Sequence, residues 1–204
     1  MKLFYKILSA IFQPFLMPTF TMIWLMTTPI LSQILPIQYK ITAIALTAFF
    51  TGMMPLFAIF MLMKQGQVSD INISDQKQRT IPYLFAFLAY MFWWVFLWRT
   101  LRMPAFISSV AIASAISLII IMLINLKWKI SAHLCSIGGA FAFVVGVSYH
   151  FALNPVLLII VLLIITALVA IARVELKQHT VTQTLAGFAV GFVCVIIPTV
   201  LINF

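Results

Sequence analysis

Acidic side chains are the scarcest chemistry in this sequence: 204 residues hold three of them, Asp70, Asp75 and Glu175, against 12 lysines and arginines. A second acidic cluster is missing, which ranks last any intramembrane prenyltransferase that grips Mg²⁺-diphosphate between two Asp-rich motifs. Cysteine is nearly as rare. Cys135 and Cys194 lie inside apolar stretches, away from loops, where neither a structural disulfide nor a metal site is expected. Charge of either sign makes up only 7% of the chain, whereas soluble domains carry roughly 25%. That excludes a soluble fold and makes the lipid bilayer the chain's main partner. The net charge of +9 has no basic soluble module to carry it, so nucleic acid is not an expected partner. Loop charges that attract anionic lipid account for it. No Ala-x-Ala cleavage site follows Lys2 and Lys6, so the first apolar run is read as a membrane segment and not a signal peptide.

What remains is apolar residues, 65% of the total, in blocks divided by charge at 7–39, 41–63, 80–98, 103–126, 130–172 and 180–204. About 20 residues cross a bilayer. The block 130–172 is twice that and is broken by Asn154-Pro155, so it reads as two spans with a turn. An all-α polytopic bundle follows, one transmembrane domain over 1–204, with spans at roughly 10–33, 41–63, 81–99, 104–126, 131–151, 155–173 and 181–203. The count is seven, or six if the first block, punctuated by Pro14, Pro18, Pro29 and Pro36, is a short interfacial helix. Trp93, Trp94 and Trp98, ahead of Arg99 and Arg102, read as an interfacial belt with basic anchors.

Polar residues gather at three places. Lys77 and Arg79 precede Pro82, which suits the first turn of a helix. Ser131 and His133 follow Lys127 and Lys129 at the opening of the fifth span, where unpaired N–H groups and the positive helix end favour an anion. Arg173 and His179 stand six apart at the mouth of the last span, and Gln183, Gly187 and Gly191 then share one face of that helix. Cys135, Gly138, Ala142 and Gly146 form a small-residue stripe below Ser131, and the two stripes are expected to meet. Arg79 and Ser131 are separated by two crossings, and so are His133 and Arg173, which puts all three regions on one side of the membrane. Loop bases do not fix which side, because most of them belong to these regions.

Ala172-Arg173, His179 and Gln183 resemble the third signature of the type-2 phosphatidic acid phosphatase superfamily: Ser-Arg, five residues, His, three residues, Asp. Ala replaces Ser and Gln replaces Asp. Ile130-Ser131-Ala132-His133 resembles the second, Pro-Ser-Gly-His, with Ser and His kept. Lys77, Arg79 and Pro82 are a looser likeness to the first, Lys, six residues, Arg-Pro. The resemblance implies a divergent bacterial-type lipid phosphate phosphatase of the inner (cell) membrane, acting on a lipid phosphate or diphosphate such as an isoprenoid carrier. It implies no metal and no cofactor. By the same resemblance His179 attacks phosphorus to form a phosphohistidine, and His133 protonates the departing oxygen. Lys77, Arg79, Lys129 and Arg173, with the backbone of Ser131, form the expected phosphate cradle. Gln183 takes the place of an Asp that orients the nucleophile, and an amide orients without supplying charge. Glu175, Asp70 and Asp75 are the carboxylates available to make up for it. The alternative is an impaired relative that binds or transports a lipid phosphate.

Overall fold

Proline decides how the chain begins. The structure, a computed structural model, describes residues 1–202. Its first 34 residues form three short helices, α1 (Lys2–Ile11), α2 (Met17–Thr27) and α3 (Pro29–Ile34). Pro14 lies in the first connection, Pro18 in the opening turn of α2, and Pro29 is the first residue of α3. Each removes a backbone donor and clashes with a preceding turn, so a continuous helix over 10–33 cannot form. The seventh span is thereby corrected to an interrupted N-terminal segment. Among the described residues, six helices are long and apolar enough to cross a membrane. They are α4 (Ile37–Lys64), α5 (Gln76–Thr100), α6 (Ala105–Asn125), α7 (Ala132–His150), α8 (Val156–Glu175) and α9 (Val181–Leu201). Residue 203, the expected end of the last span, lies outside the described residues. No strand occurs among the described residues.

The most enclosed helix is α7, and glycine explains why. A Cβ at Gly138 would strike the Phe188 backbone, one at Gly187 the Ser131 carbonyl, and one at Gly191 the Cys135 carbonyl. The two small-residue stripes therefore meet, with α7 and α9 in backbone contact along the bundle axis. Phe188 and Phe192 stack beside the contact, and Phe141 lies against both. Around this pair lie α5, α6 and the N-terminal segment. Met22, Leu25, Trp93, Phe106, Ile107 and Phe143 fill the space between them and are nearly inaccessible.

Trp93 corrects the expected aromatic belt. It is buried and donates its indole N–H to Thr47 Oγ1 at 3.0 Å, a partner on α4 that lets an indole sit inside the bundle. Only Trp94 and Trp98 behave as a surface pair, stacked at 5.4 Å, with Arg99 over Trp98. His150, at the far end of α7, donates its Nε2–H to the Thr199 carbonyl at 2.8 Å and does not line the polar site. Both cysteines are free.

Candidate functional site

The helix stop at the end of α8 fixes the spacing of Arg173 and His179. The Lys177 N–H bonds the Val174 carbonyl at 2.8 Å and the Gln178 N–H bonds the Arg173 carbonyl at 3.0 Å, with Lys177 in the left-handed region at φ 55°. This is a Schellman stop with lysine where glycine is usual. The Arg173 carbonyl also accepts the His179 N–H at 3.2 Å. One oxygen thus reverses the chain and delivers His179 beside the arginine that precedes it by six residues.

Thr180 and Gln183 then start α9 with a capping box: the Thr180 hydroxyl accepts the Gln183 N–H, and Gln183 Oε1 accepts the Thr180 N–H at 3.1 Å. Oε1 must face this backbone donor, so the amide has one orientation. The same oxygen lies 3.2 Å from His179 Nδ1. An oxygen without a proton can only accept, so Nδ1 carries the hydrogen and Nε2 keeps its lone pair. Gln183 thereby fixes the tautomer and orientation of the His179 ring. Glu175 is exposed at the end of α8, and Asp70 accepts the N–H groups of Asn72 and Ser74 in its own turn. Neither carboxylate hydrogen-bonds His179.

Arg79, His133, Arg173 and His179 line one narrow cavity of about 60 Å³, together with Tyr83. All four are buried. Arg79 spends Nε on the Ile73 carbonyl (2.9 Å) and Nη1 on the Ile130 carbonyl (3.3 Å). Arg173 leaves Nε with no partner. Neither guanidinium has an ion-pair partner among the described residues. Two uncompensated buried cations are expensive, by several kcal/mol each in the absence of a counter-charge, and the cavity between them is where an anion would relieve that cost.

The remaining candidates fall outside the cavity. Lys77 is exposed: Asp75 Oδ1 accepts its backbone N–H in a 3₁₀ turn, and the residue lines a separate groove with Thr80 and Asn125. Lys129 is half-buried in an open groove with Lys177, Gln178 and Gln183 on the outer side of His179. Burial pushes its pKa down, and Arg79 and Arg173 push it further. Ser131 caps α7, accepting the Leu134 N–H at 3.4 Å, and donates its own N–H to the Gln183 carbonyl at 3.3 Å. It is completely buried, and its part is to tie the start of α7 to α9. Three contributors had no sequence signal of their own. Ser9 on α1 presents its carbonyl 3.2 Å from His133 Nε2, Gln13 donates to Asn72 Oδ1 at 2.9 Å across the cavity mouth, and Tyr83 lies one turn after Arg79. The Thr180-x-x-Gln183 spacing, by contrast, is a capping-box pattern that the sequence displays.

Burial first, then the Arg173 and Arg79 charges, lower the His179 pKa to about 3. The ring is therefore neutral at physiological pH. Between about pH 6.5 and 3 the unfolded chain binds a proton at this position and the folded protein does not, so stability falls as pH falls through that window. The slope from this ring is at most about 1.4 kcal/mol per pH unit. Thermal unfolding of His179→Gln between pH 7 and 5 is expected to lose that share of the acid sensitivity. An unchanged slope would show that the ring titrates alike in both states. No protein-family model matches the chain, and neither does any curated protein or solved structure.

Proposed function

We propose that this protein is a membrane phosphohydrolase that cleaves a lipid phosphate or diphosphate at His179. The observation that carries the reading is the cavity itself, where two carboxylate-free arginines and two histidines from three separate sequence regions converge. The resemblance of those regions to the type-2 phosphatidic acid phosphatase signatures supports the same chemistry. Phosphoryl transfer asks mainly for positioning and for positive charge around the equatorial oxygens, and Arg79 and Arg173 provide both. The neutral His179 Nε2 attacks phosphorus, the P–O bond to the lipid breaks, and a phosphohistidine forms. His133 donates Nε2–H to Ser9, so a proton for the departing oxygen travels by Nδ1, taken from the incoming phosphate monoester. Water then attacks the phosphohistidine and releases inorganic phosphate, regenerating the ring.

The experiment is phosphate release by purified protein with chelator present, from a lipid monophosphate and an isoprenoid diphosphate, with His179→Ala as the blank. Acid-labile, alkali-stable phosphate on the wild-type protein is the expected intermediate. Gln183→Asp, which adds the charge that stabilises an imidazolium, is expected to raise turnover about tenfold or more, since the converse change in a serine protease costs about 10⁴. Two features favour a second reading, a protein that binds or moves a lipid phosphate without cleaving it: Gln183 carries no charge, and the His133 Nε2 proton is held by a backbone carbonyl. Tight binding without release, even in Gln183→Asp, would select it and end the phosphohydrolase reading.

A further inference from the structure

A second pocket of about 60 Å³ lies on the core side of the charged cavity, and Pro14, Tyr90, Leu118 and Ala132 line both. Tyr90 follows Arg79 by about three turns of α5, so the two spaces join at the inner end, away from the open groove that His179 and Gln183 border. At about 30 Å³ per molecule in the liquid, a pocket of this size takes about two waters. Two hydroxyls in its wall are unspent. Ser114 and Tyr90 have no hydrogen-bond partner among the described residues, although Tyr90 is only 6% exposed. Thr21, Ser117 and Ser136 each donate to a backbone carbonyl, at 2.9, 2.7 and 2.8 Å. A hydroxyl that has donated its one proton still accepts through its lone pairs. Donors and acceptors are both on offer, and buried water settles on polar groups that the protein leaves unsatisfied, making about three bonds to them.

Resting on the phosphohydrolase reading, we infer that this pocket is a water site, held by Ser114 and Tyr90, and that it supplies the water that cleaves the phosphohistidine. The arrangement around His179 favours an inner source. The open groove with Lys129 and Lys177 meets the ring on its Gln183 side, where Nδ1 is bonded. The phosphorus is carried on the other ring nitrogen, Nε2, in the cavity that leads to Tyr90. The mouth beside Gln13 and Asn72 is occupied while the lipid alcohol departs. Water drawn from the core side forms the O–P bond, the P–Nε2 bond breaks with its electron pair returning to the ring, and both water protons leave on dihydrogen phosphate.

X-ray hydroxyl-radical footprinting in phosphatidylcholine nanodiscs tests the site without turnover, because a buried side chain is oxidised quickly only where water is bound beside it. Met17 lines the pocket and Met22 does not, and the two are comparably buried on α2, at 3% and 1% exposed. Met17 is expected to be oxidised faster than Met22 in the wild type, to fall to the Met22 rate in Ser114→Val, and to recover in Ser114→Thr, which keeps a hydroxyl. Equal rates for Met17 and Met22 in the wild type would overturn the water site. Supply is read from the decay of acid-labile phosphate on protein labelled with radioactive phosphatidic acid. Ser114→Val and Tyr90→Phe are expected to slow that decay about fivefold, the worth of one net hydrogen bond, and to slow its formation less. Tyr90→Phe removes one oxygen and fills no space, which guards against a Ser114→Val protein that folds poorly. Equal slowing of formation and decay, or no slowing of decay, would overturn the supply. If Met17 is oxidised as expected and no protein acquires phosphate, the hydrolytic reading fails and the water site stands without it.

Discussion

An Arg173→Met protein is expected to unfold at a higher temperature than the wild type and yet to release phosphate about 10²–10³-fold more slowly. The two effects have one source. Arg173 is 3% exposed, its Nε has no partner, and no carboxylate pairs with it among the described residues. Replacing buried ions with apolar side chains of similar size is commonly neutral or stabilising by about 1–4 kcal/mol, and an ion without a counter-charge has still less to lose. On the proposed phosphohydrolase reading the same side chain would be a preorganised donor for the charge that builds on a transferring phosphoryl group, and losing one such donor typically costs 10²–10³ in rate. Arg173→Lys keeps the charge but loses the planar fork, so its rate falls between the two. Orthovanadate, a phosphate mimic, should stabilise the wild type and leave Arg173→Met unmoved, by about 2.7 kcal/mol at a hundredfold excess over Kd. Thermal unfolding and phosphate release on the same preparations check this. A variant that loses stability together with activity would make Arg173 a structural residue.

Gly191→Ala should unfold the protein or weaken it by about 3 kcal/mol or more, at the upper end of overpacking costs. Its new methyl would overlap the Cys135 carbonyl oxygen and come within 3.0 Å of the Gly139 nitrogen. Both obstacles are backbone, which cannot rotate aside as a side chain can. The helices would have to separate, and the Ser131 to Gln183 backbone bond would lengthen with them. Activity should therefore fall with stability. Gly139→Ala is the control. Its nearest obstacle is a Val195 methyl at 3.3 Å, which can yield, so the expected cost is below about 1.5 kcal/mol. Comparable unfolding temperatures for the two alanine variants would refute the close backbone contact.

Five of the six long helices begin and end within a few residues of the spans that charge and proline mark out, and α5 extends five residues before its expected start at 81. Those boundaries were legible because the flanking signals are local. The first block was not, because its hydropathy matches a span while its prolines break the helix; composition alone does not rank the two. Arg79, His133, Arg173 and His179 share a cavity, as the pairing of crossings implied. Lys77 lies outside the cavity, and two residues of spacing from Arg79 do not reveal that Asp75 opens a 3₁₀ turn over Gln76–Gln78 that contains it. The Ser131 backbone was given a ligand's part on its position at a helix start, and its N–H is taken by the Gln183 carbonyl while its hydroxyl caps the helix. Ser9 meets His133 across 124 residues of sequence, a distance over which no spacing rule acts.

Backbone contact between α7 and α9 also divides the labour of motion. Helices in contact through glycine have no side-chain layer along which to slide, so the contact ties together the ends that carry His133 on one and His179, bonded to the cap of the other. Arg79 belongs to a different part of the molecule. It is held by a single loop carbonyl and the residue before Ser131, and the mouth beside it is latched by one exposed hydrogen bond, Gln13 to Asn72. On the lipid-phosphate reading, the part of the wall with least to hold it against an entering headgroup is the N-terminal segment and the loop before α5, joined by that one bond.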